Sequence, residues 1–236
     1  MKKEAKSRIR QIVKVILLCS FVLALVLLIE LLFSKLISWI AGPAASTPLW
    51  VFIYSVLVYG SSLLIIFLLY KKPFKYFLKK FTFPSWTDLL LSPIAYIIYI
   101  VLSYLLTLAL TNLPFYTTDS QSLIFRGLVT IPDKILAFLS LVIIAPIAEE
   151  LIYRGFLYKN LKNTIKNKFS RPLAILLTSL IFALAHGSFA IGIDVFAMSI
   201  ISCLLVELTG HLHASILLHI IKNAVAFYLV YTLGIA

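Results

Sequence analysis

Charged residues are scarce in this chain of 236 residues: only 13% are charged, whereas 62% are hydrophobic and the mean hydropathy is +1.06. Soluble domains carry roughly 25% charged and 45–50% apolar residues, so a water-soluble fold is excluded. Cysteine is also scarce. Cys19 and Cys203 both lie in apolar runs, where burial as small hydrophobic side chains is expected. A disulfide-rich secreted scaffold is therefore excluded as well.

Long apolar runs dominate the chain instead, and none of them alternates apolar and polar residues as a membrane β-strand would. Several reach the roughly 20 residues that a helix needs to cross a hydrocarbon core of about 30 Å. We therefore predict an all-α fold, a polytopic transmembrane helical bundle of about seven membrane helices. The predicted spans are 12–40, 49–70, 89–111, 135–158, 172–187, 190–209 and 212–233.

Basic residues lie in short blocks between these spans and form no patch typical of a nucleic-acid-binding surface. Six Lys and Arg precede residue 15, five lie in 71–80 and five in 159–171, all on one side of the predicted bundle. The positive-inside rule places that side, with the N terminus, in the cytoplasm. We expect a multi-pass protein of the cell membrane that contacts the lipid bilayer and binds no nucleic acid.

Two segments have less direct interpretations. The first run follows a basic N terminus, as in a signal peptide, but it continues to about Ile40 and is expected to remain as an anchor. The small residues at 41–46 nevertheless resemble a cleavage site. The basic and aromatic segment 71–84 is either a short amphipathic piece on the membrane surface or a plain loop.

Three ionisable residues interrupt the fourth predicted span: Glu149, Glu150 and Arg154. Such groups are costly inside a membrane and mark functional sites. Glu150 and Arg154 lie four residues apart on one helical face and can pair, whereas Glu149 points about 100° away and needs another partner. Glu149 also lies about 15 Å along a helix from Lys159, so we expect it inside the membrane. Pro146 predicts a kink or an opened backbone beside these carboxylates.

Two later spans carry polar or aromatic residues four positions apart: Phe182 with His186, and His219 with Asn223. A single histidine in an apolar helix is more often a packed side chain than a catalytic one. At 1.5 Å per residue, however, His186, His219 and Asn223 lie about 21, 9 and 15 Å from the predicted cytoplasmic edge. These depths bracket that of Glu149, within what helix tilt can absorb.

Three helices could thus direct these side chains into one cavity in the cytoplasmic half of the bilayer. A carboxylate in such a cavity can act as a general base on water, helped by a histidine. Imidazole and carboxamide donors can stabilise an oxyanion. This chemistry fits the hydrolysis of an amide bond.

The ordered motifs Glu-Glu-x-x-x-Arg at 149–154, Phe-x-x-x-His at 182–186 and His-x-x-x-Asn at 219–223 resemble those of the CPBP family. That family groups CAAX prenyl endopeptidases with bacterial Abi, bacteriocin-processing and immunity proteins. The resemblance covers about 135–227. It divides the single structural domain into variable N-terminal membrane helices, 1–134, and a CPBP-type protease core, 135–233.

The resemblance implies an intramembrane endopeptidase that acts on a membrane-associated peptide or protein. Glu149 would activate water with His186, and His219 with Asn223 would form the oxyanion site. A leader peptide or membrane-bound peptide is the expected substrate rather than a prenylated protein. The residues that would support the structure of the site are Glu150, Arg154 and Phe182.

Proteins of this family are often labelled metalloproteases, and Glu149, His186 and His219 could hold zinc with an open fourth position. No His-Glu-x-x-His helix is present, and a glutamate-dependent mechanism accounts for Asn223 without a metal. We therefore favour a site without a cofactor. The alternative function is a non-catalytic membrane immunity or partner-binding protein with the same fold. A proton-coupled carrier is disfavoured because the chain lacks repeated halves.

The other polar residues near the late spans have structural interpretations. Lys222 is expected to pair with Glu207 or to extend to the membrane surface. Asp194 is expected at the membrane interface, with a role in gating substrate entry as the alternative. His211 and His213 are expected to be hydrated in the turn before the last span.

Overall fold

The computed structural model describes residues 2–69, 83–111, 128, 130–165, 169–231 and 233–234, and this part of the chain contains helices and no strand. The all-α helical bundle is therefore confirmed. Most of the predicted surface segment 71–84 lies outside the described residues. The seven main helices are α1 (Lys2–Ala41), α2 (Pro48–Leu69), α3 (Trp86–Leu110), α4 (Ile131–Thr164), α5 (Ser170–Leu184), α6 (Phe189–Thr209) and α7 (His213–Tyr231).

Six of these seven helices are long and apolar enough to cross a membrane, and α5 is the exception. Its 15 residues extend about 22 Å, which is less than the hydrocarbon thickness of about 30 Å. The fifth span was predicted to continue to residue 187, but the helix ends at Leu184. Gly187, three residues further on, has a φ of +70°, a left-handed conformation that is common just after helix ends. His186 therefore lies in a turn and not inside a helix.

The helix α4 is irregular on both sides of its carboxylates. Regular turns at Ala145–Glu150 are flanked by wider π-type turns at Leu139–Ile144 and Leu151–Tyr158. Pro146 has no N–H to donate to the preceding turn, and the N–H of Ala145 bonds the carbonyl of Ser140, five residues back. The opened backbone predicted near Pro146 is thus present as π-type turns, which are frequent at functional sites.

The central helix of the bundle is α6, the most enclosed of the six long spans. It packs against α3, α5 and α7, while α1 packs along α2. In one apolar group Phe156 of α4 lies with Val22 of α1 and Cys203 of α6, and in a second Phe182 of α5 packs with Leu218 of α7. Both cysteines are buried thiols, as predicted. This packing holds α4, α5 and α7 side by side, with their motif residues inside the bundle.

Candidate active site

Glu150 lies in a network of buried polar partners. Arg154 Nη1 lies 2.9 Å from Glu150 Oε1, and both side chains are 0% exposed. From α7, Ser215 donates a hydrogen bond to Oε2, and His219 Nδ1 lies 3.1 Å from Oε1. The Arg154 guanidinium also stacks 4.6 Å above the centre of the Phe182 ring, a cation–π contact. The pairing expected from the four-residue spacing is present, and it joins α4 to α5 and α7.

Glu149 faces another side of α4 and has fewer partners. Tyr59 of α2 donates a hydrogen bond of 2.9 Å to Glu149 Oε1. Glu149 Oε2 lies 3.8 Å from His219 Nε2, and the glutamate side chain is 19% exposed. Glu30 of α1 lies within electrostatic range. Sequence reasoning missed Tyr59, because nothing distinguishes it from the other 11 of the 12 tyrosines in the chain.

His219 is the residue that contacts both carboxylates. Its Nδ1 lies against Glu150 and its Nε2 faces Glu149. A carboxylate only accepts hydrogen bonds, so the Nδ1 hydrogen is the one donated to Glu150. Such a bond fixes the orientation of an imidazole ring. Glu150 therefore holds His219 so that its other nitrogen points to Glu149.

His186 occupies the turn after α5, next to the same aromatic ring. Its Nδ1 lies 2.8 Å from the carbonyl oxygen of Phe182, and the two rings pack edge to face with centroids 4.8 Å apart. The Phe182 ring also packs edge to face with the His219 ring, 6.1 Å away. The structure thus brings both histidines to Phe182. Because Nδ1 donates to a carbonyl, Nε2 is the basic nitrogen of His186.

Asn223 of α7 contacts the helix that carries the two glutamates. Its Nδ2 donates a hydrogen bond of 2.8 Å to the carbonyl of Leu141, in the first π-type segment of α4. A carboxamide has two N–H donors, so this contact leaves one of them. The structure therefore shows Asn223 as a link between α7 and α4, with one donor remaining on the same nitrogen.

The prediction that Lys222 pairs with Glu207 is wrong. Lys222 Nζ lies 3.4 Å from Asp194 Oδ2, on α6. Glu207 is already paired with Lys162 and with Arg171, whose Nε lies 3.2 Å from Glu207 Oε2. The cation next to Asn223 in the sequence is thus neutralised by a carboxylate that the sequence placed at the membrane interface.

Asp194 has two further partners, both on α3. Its Oδ1 accepts hydrogen bonds of 2.5 Å from Tyr99 and 2.8 Å from Ser103. Together with Lys222, these contacts join α3, α6 and α7. Sequence reasoning missed this second polar network, because its members are spread over three helices and form no motif.

Glu149, His186 and His219 are the alternative zinc ligands. Their ligand atoms do not all lie within 4.8 Å of one another. Among the described residues, a single group of three His, Cys, Asp or Glu side chains has its ligand atoms within 4.8 Å of one another, and it lies at the turn between α6 and α7. The arrangement around Glu149 does not fit a zinc ion as it stands. The preference for a site without a cofactor remains a prediction.

Comparisons with known proteins agree with the three motifs. Residues 131–225 match the family described as type II CAAX prenyl endopeptidase, Rce1-like. The membrane-embedded CAAX protease MroQ of Staphylococcus aureus (strain USA300) is 31% identical over 127 residues, which are 52% of this chain and 51% of that protein. The chain thus spans about half the length of this relative. No solved structure matches the chain. Residues 131–225 are therefore similar to type II CAAX prenyl endopeptidases, the group of membrane proteases that the three motifs resemble.

Proposed function

We propose that this protein is an intramembrane endopeptidase in which Glu149 is the general base that activates water. The observation that carries the proposal is the difference between two adjacent carboxylates. Glu150 is enclosed and already engaged by Arg154, Ser215 and His219. Glu149 keeps an exposed edge within the same bundle.

Glu149 has the acceptor capacity that a general base needs. An ionised carboxylate offers about four lone-pair positions, and the Tyr59 hydroxyl uses one of them. Water that binds another position can transfer a proton to Glu149 while its oxygen attacks the carbonyl carbon of the substrate. The Nε2 of His186 is the second acceptor proposed to orient this water.

The tetrahedral intermediate formed by this attack carries a negative oxygen. We assign its stabilisation to the second N–H of Asn223 and to the Nε2–H of a doubly protonated His219. Glu150 keeps the His219 ring in place for that role. Glu149 then returns the proton to the amide nitrogen as the C–N bond breaks, which releases the amine product and restores the carboxylate.

The proposed substrate is a peptide held at the membrane. The family matched by residues 131–225 and the relative from Staphylococcus aureus are both described as CAAX proteases. For this chain we propose a leader peptide or another membrane-bound peptide rather than a prenylated protein. No step of the proposed reaction uses a metal.

Glu149→Gln tests the base most directly, because glutamine keeps the size and one acceptor oxygen but cannot take the proton. Cleavage should fall by about 10²–10⁴-fold, the usual contribution of a general base. The measurement is the turnover of membrane-tethered peptides by purified protein in liposomes, with substrates found by comparing the membrane peptides of cells that express either form. The melting temperature should stay close to that of the wild type.

Asp133→Asn is the matched control, since it removes a carboxylate from the same helix, in the first turn of α4. It should leave cleavage unchanged. Full cleavage by Glu149→Gln would remove Glu149 as the base. If Glu149→Gln and His186→Ala both preserve immunity or partner binding in cells, the non-catalytic alternative is correct.

A further inference from the structure

A third polar cluster lies where the first turn of α3 meets the turn between α6 and α7. It consists of Asp88, His211 and His213, whose ligand atoms all lie within 4.8 Å of one another. The Asp88 side chain is 1% exposed and that of His211 is 31% exposed. The two histidines, which the sequence predicted to be hydrated, are partly exposed and lie beside a buried carboxylate.

The spacing of these atoms resembles that of ligands around one metal ion. His211 Nδ1 lies 3.2 Å from His213 Nδ1 and 3.6 Å from Asp88 Oδ1. Ligands bound at about 2.0–2.1 Å in a tetrahedral zinc site are separated by about 3.3 Å. Both distances are close to that value, so one ion could contact all three side chains after small movements.

The carboxylate of Asp88 provides an independent indication of a ligand. Its Oδ2 accepts hydrogen bonds from the backbone N–H and the hydroxyl of Ser85, at 2.8 and 2.7 Å, and so caps α3. Its Oδ1 is buried and has no hydrogen-bond donor among the described residues. A buried carboxylate oxygen without a partner is costly. That oxygen is the one directed at His211, where a cation would complete its environment.

The backbone around the cluster is held by its own contacts. Ser92 of α3 donates a hydrogen bond of 3.1 Å to the carbonyl of Ala214, next to His213. Gly210, with a φ of +76°, forms the turn, and Thr209 Oγ1 accepts from the His211 N–H at 3.4 Å. The positions of both histidines relative to α3 are therefore set before any ion binds.

We propose that Asp88, His211 and His213 bind a divalent transition metal ion, for which Zn²⁺ is the best match. Two imidazoles and one carboxylate are ligands typical of zinc, and three protein ligands leave a fourth position for water. The ion would join the start of α3 to the start of α7, about 9 Å along that helix from His219. It would thus hold α7 in register without taking part at Glu149.

The four histidines of the chain allow a matched experiment, because His211 and His213 lie in this cluster and His186 and His219 lie near Glu149. Wild-type protein, purified in detergent through an affinity tag without histidine and stripped with a chelator, is titrated with Zn²⁺ by calorimetry and with Co²⁺ by visible absorption. We expect about one ion per chain, the intense Co²⁺ absorption of a tetrahedral site, and a melting temperature raised by Zn²⁺.

The double variant His211→Gln/His213→Gln should lose all three signals, whereas His186→Gln/His219→Gln should keep them. The melting temperature of each variant without metal verifies that it is folded. If the first double variant does not fold, Asp88→Asn takes its place, because asparagine retains a cap acceptor for Ser85. Absence of stoichiometric binding by the folded wild type would overturn the proposal. So would binding that survives the loss of His211 and His213, or that disappears with His186 and His219.

Discussion

The surroundings of Glu149 and Glu150 differ far more than their adjacent positions in the sequence. Glu150 is completely buried and contacts a guanidinium, a hydroxyl and an imidazole. Glu149 is partly exposed, and its one hydrogen bond among the described residues comes from Tyr59 of α2. Two adjacent carboxylates in a membrane helix can therefore differ in role. Glu150 stabilises the contacts between helices, whereas Glu149 remains available for water.

Replacement of Arg154 should give the largest effect on the stability of the protein. Arg154→Met should lower the free energy of unfolding by about 3–5 kcal/mol, because Glu150 would remain as a buried charge without its cation. Unfolding of the purified protein in mild detergent measures the loss. Glu150→Gln/Arg154→Met should recover most of it, since the pair is then replaced by neutral groups of similar size. A stable Arg154→Met protein would show that the pair does not support the fold.

His219 contacts both carboxylates, so its replacement should affect activity more than stability. His219→Gln removes the Nε2 near Glu149 and should lower the cleavage rate by about 10²–10³-fold, as expected for an oxyanion donor. Peptide cleavage and thermal unfolding are measured on the same preparation. The control is Ser215→Ala on the same helix, which contacts Glu150 alone among the two carboxylates. Equal losses of activity in both variants would mean that His219 acts only through Glu150.

Replacement of Tyr59 should have the smallest effect, because its hydroxyl contacts only Glu149 of the two carboxylates. Tyr59→Phe removes one hydrogen bond, a change of about 0.5–1.5 kcal/mol, so kcat/KM should change by about tenfold at most. Tyr54→Phe removes a hydroxyl from the same helix and is the matched control. If Tyr59→Phe destabilises the fold as strongly as Arg154→Met, then Glu149 is a structural carboxylate as well, and the comparison fails.

Local contacts were the part of the site that could be predicted. Glu150 and Arg154 lie four residues apart on one helix, so their pairing follows from helical geometry. The hydrogen bond from Tyr59 to Glu149 joins residues 90 positions apart, and no periodicity indicates it. Asp88 and His211 are further apart still, and no sequence motif joins them.

The same distinction applies to the fold. Long apolar runs predicted the helices, because membrane thickness sets their length. The helix α5 ends three residues before the left-handed Gly187, and Pro146 lies between the two π-type segments of α4. The apolar composition of a span indicates neither feature, because the end of a helix and a π-type turn depend on local backbone conformation.

The short helix α5 has a consequence for the surrounding lipid. Its length of about 22 Å falls about 8 Å short of a typical hydrocarbon core. Hydrophobic mismatch of this size is met by local thinning of the bilayer or by a polar turn that stays below the lipid surface. His186 lies in the turn that follows this short helix. We therefore expect the acyl-chain length of the host membrane to affect how easily water reaches His186.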